Sequence, residues 1–124
     1  MSSTPYSAYL ESAVVNAEPI ELVRRLYTAA IDAVNEGRTC LAGGQIRERA
    51  NAISKASNIL RELSAAINPA PDPAMARNLL ELYDYMQRRL TEGHLRQSEK
   101  PLAEVARLLA NLAEAWYQID PHAS

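Results

Sequence analysis

Phenylalanine is absent from this chain of 124 residues, and cysteine and tryptophan occur once each. A lone cysteine, Cys40, excludes an intramolecular disulfide and a four-cysteine zinc site. It points to a reducing compartment. With no base close to it in the sequence, it reads as a small apolar side chain rather than a nucleophile. Histidine is also scarce, with only His94 and His122. A di-metal helical bundle uses Glu-x-x-His spacing on two helices. Glu92 and His94 are two apart and fall on different helix faces. A glycine-rich phosphate loop is missing too, and Gly43-Gly44 reads as a plain turn. These absences predict no enzyme, no metal and no cofactor.

The formal net charge is only -2, with an isoelectric point near 5.7, so nothing favours a nucleic-acid partner. The N-terminus, Met1-Ser2-Ser3-Thr4-Pro5-Tyr6, lacks the basic start and apolar run of a signal peptide. No apolar run approaches the roughly 20 residues that would insert into a bilayer. The expected location is the cytosol.

Alanine and leucine, with glutamate and arginine between them, favour helices. Residues 79–90 carry the clearest pattern. Leu79, Leu82, Tyr83, Met86 and Leu90 recur at steps of three and four and share one face, while Tyr85 and Arg89 lie four apart on an adjoining one. Helices are expected at about 19–42, 45–68, 73–96 and 99–119. The first carries the stripe Leu22, Val23, Leu26, Tyr27, Ala30, Ile31 and Val34, and ends at Gly43-Gly44. The second carries Ile46, Ile53, Leu60, Leu63 and Ile67, and stops before Asn68-Pro69. Asp72-Pro73 supplies an N-cap and a first-turn proline for the third, in which Gly93 reads as a soft spot. The fourth carries Leu102, Val105, Leu109, Leu112 and Trp116, and residues 121–124 are a tail.

Short connectors between long helices make antiparallel neighbours the default. The expected fold is all-α: an antiparallel four-helix bundle over residues 18–120. Residues 1–17, with Tyr6, Tyr9, Leu10 and Val14, form an apolar arm or short extra helix.

Four blocks of sequence carry a family resemblance. They are Tyr9 to Tyr27 around Asn16-Ala17-Glu18-Pro19; Ser54-Lys55-Ala56-Ser57-Asn58-Ile59-Leu60 with Leu63; Leu82-Tyr83-Asp84-Tyr85-Met86 with Arg88-Arg89-Leu90; and Leu102-Ala103-Glu104-Val105 leading to Trp116. In this order they resemble the flagellar export chaperones of the FliS family. The resemblance implies a non-enzymatic bundle that binds the disordered C-terminal segment of flagellin, prevents premature polymerisation and aids export by the flagellar type III secretion system. It also implies engagement of the export gate as a complex with flagellin. The alternative is a homodimeric structural or regulatory bundle.

Carried over by position, the flagellin-binding residues are Tyr9, Val14, Ala17 and Pro19 in the arm and helix entry; Lys55, Asn58, Ile59 and Leu63 on the second helix; and Tyr83, Tyr85, Met86 and Arg89 on the third. Ile59, Leu63 and Met86 are expected to line an apolar groove that Tyr9 plugs when empty. Asn58, Tyr85 and Arg89 are expected to bond the client at its rim. On this reading, Asp at position 59 or 86 weakens client binding more than folding.

Overall fold

The computed structural model describes residues 17–118, with side chains from Ile20 onward. Four helices follow one another: α1 (Ala17–Ala42), α2 (Ile46–Ala65), α3 (Pro73–Arg96) and α4 (Glu99–Tyr117). No strand occurs among the described residues. The expected arm falls outside them.

Contacts across the bundle give its order. α1 packs on α2 and α4, and α3 closes the ring between α2 and α4. Arg24 near the start of α1 reaches the Trp116 carbonyl near the end of α4, whereas Arg38 near the end of α1 pairs with Glu99 at the start of α4. Arg49 near the start of α2 meets His94 near the end of α3. Neighbouring helices are therefore antiparallel, as the short connectors require.

The helix ends follow local chemistry. Gly44 adopts φ +69°, so its backbone takes the left-handed turn that closes α1. The Gln45 and Gly44 N–H groups then donate to the Cys40 and Leu41 carbonyls, a Schellman closure. α2 stops at Ala65, three residues short of expectation. Beyond it Asn68 Oδ1 accepts the Ala70 N–H, a local turn that competes with further helix. Asp72 caps α3 by accepting the Met75 N–H at 3.1 Å, with Pro73 in the first turn. α1 starts at Ala17, so Pro19 still lies in the first turn, where no intrahelical N–H bond is forfeited. No helix among the described residues is long and apolar enough to cross a membrane.

One continuous core fills the bundle. Trp116, Tyr27, Tyr83, Leu60, Leu79, Met86, Leu90, Leu102 and Leu109 are fully buried. The Tyr27 and Tyr83 hydroxyls hydrogen-bond to each other inside it. Trp116 lies 6.2 Å from Tyr27, ring centre to ring centre. Its indole N–H is buried without an acceptor, which costs on the order of 1–3 kcal/mol. Cys40 is buried as an apolar residue. Leu22 and Ile46, expected within core stripes, are instead 56% and 62% exposed. Each lies beside its helix's buried stripe and near a helix start, where neighbouring helices give less cover.

Gly93 is not a soft spot. It is the point where α3 touches α4, and a Cβ there would come within 2.6 Å of Leu102 Cδ2 and 3.2 Å of the Ser98 carbonyl oxygen. The two-residue link Gln97-Ser98 enforces this approach. It is turned by Gln97 at φ 52° and closed by Ser98 N–H donating to the Gly93 carbonyl at 3.0 Å. Gly93→Ala is expected to cost about 1–3 kcal/mol through overpacking, despite alanine's higher helix propensity. Urea unfolding of the variant checks it; unchanged or raised stability would contradict the close packing.

Candidate functional site

Residues 79–90 of α3 divide into a buried face and a lateral face. Leu79, Tyr83, Met86 and Leu90 are each no more than 1% exposed. They form the seam of α3 within the core. Four residues apart, Tyr85 and Arg89 project to the same side and meet Glu104 of α4. The Tyr85 hydroxyl donates to Glu104 Oε2 at 2.7 Å, and Arg89 Nε donates to Glu104 Oε1 at 2.6 Å. Arg89 Nη1 also donates to Glu92 Oε1 at 2.8 Å. Both oxygens of one carboxylate are thus engaged by α3.

The chemistry of this cluster is mutually reinforcing. The Tyr85 hydroxyl bond, followed by the Arg89 bond, holds the Glu104 carboxyl below the usual carboxylate range. The same bond to an anion raises the Tyr85 phenol, because ionising it would put two negative charges together. Arg89 is pushed further up, chiefly by its bond to Glu104. The cluster is a charged clasp between α3 and α4. It offers no general acid or base near neutral pH, because each group is driven deeper into its ordinary charge state.

On α2, Ile59 and Leu63 are 6% and 2% exposed and belong to the common core. The reason is geometric: α2 packs against α1 and α3 at once, so Ile59 and its neighbour Leu60 both turn inward. Lys55 and Asn58 lie on the exposed face, and Asn58 Oδ1 accepts a bond from Arg61 Nη2. Ala17 and Pro19 are in the first turn of α1, with side chains outside the described set, and Tyr9 and Val14 fall outside the described residues.

The expected groove is not open in this structure. Ile59, Leu63 and Met86 line no open surface in this structure, and Tyr83 is a buried partner of Tyr27. Tyr85 and Arg89 spend their hydrogen bonds on Glu104 and Glu92. His94, expected at the surface, is half-buried and accepts a bond from Arg49.

Two of the surface shelves among the described residues lie near the end where α1 begins. One, of about 440 Å³, runs along α1 to the end of α4 over Arg24, Arg25, Thr28 and Tyr117. Thr28 Oγ1 and Tyr117 OH bond across it at 2.6 Å. The other, of about 450 Å³, lies at the start of α3 between Pro69, Pro73, Arg77, Leu80 and Asp84. Both mix apolar floor with charged rim. That surface suits an amphipathic helix lying in a groove. Among the described residues no group of three His, Cys, Asp or Glu side chains is placed to hold a metal ion.

The model of the family described as "Flagellar protein FliS" matches residues 1–123. This chain belongs to the FliS family. The flagellar secretion chaperone FliS of Salmonella typhimurium is 42% identical over 93% of this chain and 86% of its own length. The protein of the same name from Escherichia coli is 31% identical over 86% of this chain and 79% of its own. That of Bacillus subtilis is 28% identical over 92% and 84%.

Within this FliS fold, the hub of the α3 clasp is Glu104, to which the sequence reading gave no role. A signal for it was present. Tyr85 and Arg89, spaced to face one anion, lie in the second half of α3. An antiparallel α4 sets its first half alongside them, which leaves Glu99 and Glu104 as candidates. Glu99 is taken by Arg38.

Two outcomes are expected. Met86→Asp and Ile59→Asp bury a carboxylate in the core and unfold the protein, with losses above about 4 kcal/mol, rather than selectively blocking a partner. Thermal unfolding followed by circular dichroism reads this; a folded Met86→Asp variant would reopen the groove. For Glu104, the lowered folded pKa means that its contribution is fully present above the ordinary carboxylate value of about 4.3 and fades as pH falls through the folded value. Glu104→Gln should flatten the acid limb of the stability–pH curve. An unchanged limb would show that the clasp contributes nothing.

Proposed function

We propose that this chain is a flagellar secretion chaperone that binds the C-terminal segment of flagellin in the cytosol, keeps it from polymerising, and passes it to the flagellar export gate as a complex. The observation that carries the proposal is the FliS match along residues 1–123. Relatives bearing the name flagellar secretion chaperone align over most of their length. The shelves lined by Tyr117 and Leu80 support it, since they are apolar enough to seat short helices and open enough to release them.

The residues assigned to client contact change accordingly. Lys55 and Asn58, on the exposed face of α2, act at the rim. Tyr9, Val14, Ala17 and Pro19, which precede or open α1 in the chain, are kept as client contacts. Ile59, Leu63, Tyr83 and Met86 act beneath the surface by fixing helix spacing. A client that orders on binding loses chain entropy, so a long interface remains releasable, which export requires.

Calorimetric titration with the flagellin C-terminal segment of the same bacterium tests the reading. One-to-one binding with a negative heat-capacity change is expected. Leu80→Asp should weaken it about tenfold, a loss of about 1.4 kcal/mol, while leaving the fold intact. Absence of binding at high micromolar concentration, with concentration-dependent mass, would replace the chaperone reading with the homodimeric bundle.

A further inference from the structure

The opposite end of the bundle carries a second surface that the client reading does not use. It is built from the start of α2 and the end of α3, linked by Arg49 and His94. Arg49 is only 4% exposed, donating Nε–H to His94 Nδ1 at 3.0 Å and Nη2–H to the His94 carbonyl at 3.4 Å. Neither acceptor is a carboxylate, so no acidic side chain is paired with this guanidinium. Ile46 stands one turn before Arg49, and Leu95 follows His94. They are 62% and 73% exposed, the two most exposed large apolar residues among those described.

Charge surrounds this pair unevenly. Arg47 and Arg96, next to Ile46 and Leu95 in the chain, are exposed and have no carboxylate partner within ion-pair distance among the described residues. The nearby acids are less available. Glu99 is held by Arg38, and Glu92 by Arg89; Glu48 remains. In a chain of formal charge -2, this end presents two exposed apolar side chains, each next in sequence to an exposed arginine without a carboxylate partner among the described residues.

We propose that this end is a docking surface for an acidic, aliphatic segment of a partner protein, whose leucine-like side chains cover Ile46 and Leu95 while its carboxylates meet Arg47 and Arg96. Charge complementarity selects the occupant. A polyanion alone would leave the apolar pair uncovered. A membrane surface is disfavoured because only two apolar side chains project and neither is aromatic, too little for an interfacial anchor. The surface lies at the far end from the shelves lined by Tyr117 and Leu80, and the proposal stands whether or not the chaperone reading does.

The test is an NMR titration of the full chain, labelled at isoleucine and leucine methyls, with the capped peptide Glu-Leu-Glu-Glu-Leu-Glu. The Ile46 and Leu95 signals should shift first, and affinity should fall as salt rises. The double variant Ile46→Ser, Leu95→Ser and the double reversal Arg47→Glu, Arg96→Glu should each weaken binding about tenfold or more. All four side chains are exposed, and methyl spectra of the free variants verify folding. No shift at millimolar peptide overturns the proposal. So does an equal response to Lys-Leu-Lys-Lys-Leu-Lys, or binding that survives Ile46→Ser, Leu95→Ser. An equal response of these methyls to inorganic polyphosphate, or to vesicles rich in phosphatidylglycerol, would reassign the surface to a simple anion or a membrane and overturn it likewise.

Discussion

At the centre of the bundle two phenol groups meet. Tyr27 of α1 and Tyr83 of α3 are almost wholly buried, and their hydroxyls bond to each other. Each hydroxyl would cost free energy if buried alone, and each is supplied by a helix across the ring from the other. The bond holds only if α1 and α3 keep one rotation and one height relative to each other. That condition reaches further than the pair. With Tyr27 fixed, Trp116 has its packing partner. With Tyr83 fixed, Met86 and Leu90 point inward, while Tyr85 and Arg89 are turned toward α4.

The clasp at Glu104 depends on that rotation, and so does the close contact at Gly93. The first fixes α3 to α4 by charge, the second by shape. Together with the two-residue turn at Gln97-Ser98, they leave α3 and α4 little freedom to separate at that end. The other end of α3, after the proline-rich connector, has Leu80 partly exposed beside a shelf. The clasp, the Gly93 contact and the turn pin α3 to α4 at the end where α3 finishes. The shelves lie at the opposite end.

The family pattern in α3 mixes two kinds of residue. Leu79, Tyr83, Met86 and Leu90 build the core, while Tyr85 and Arg89 hold α4 in place. A motif that marks a family can lie in the framework of its fold. Here its residues set the helix spacing on which exposed positions such as Lys55, Asn58 and Leu80 are displayed.

The sequence by itself determined the four helices, because stripe spacing, Asp72-Pro73, Gly43-Gly44 and Asn68-Pro69 are local signals with local causes. It also determined the antiparallel order, because connectors this short permit no other. It did not determine which side of a wide apolar face turns inward. Ile59 and Leu60 are adjacent and both buried, whereas Leu22 and Val23 are adjacent and only Val23 is buried. The difference lies in how many neighbours each helix meets at that height. Nor did it determine where Tyr85, Arg89 and Arg49 spend their hydrogen bonds, since Glu104 and His94 are supplied by other helices. Those partners exist only once the helices have packed, and for that reason the tertiary structure alone decided them.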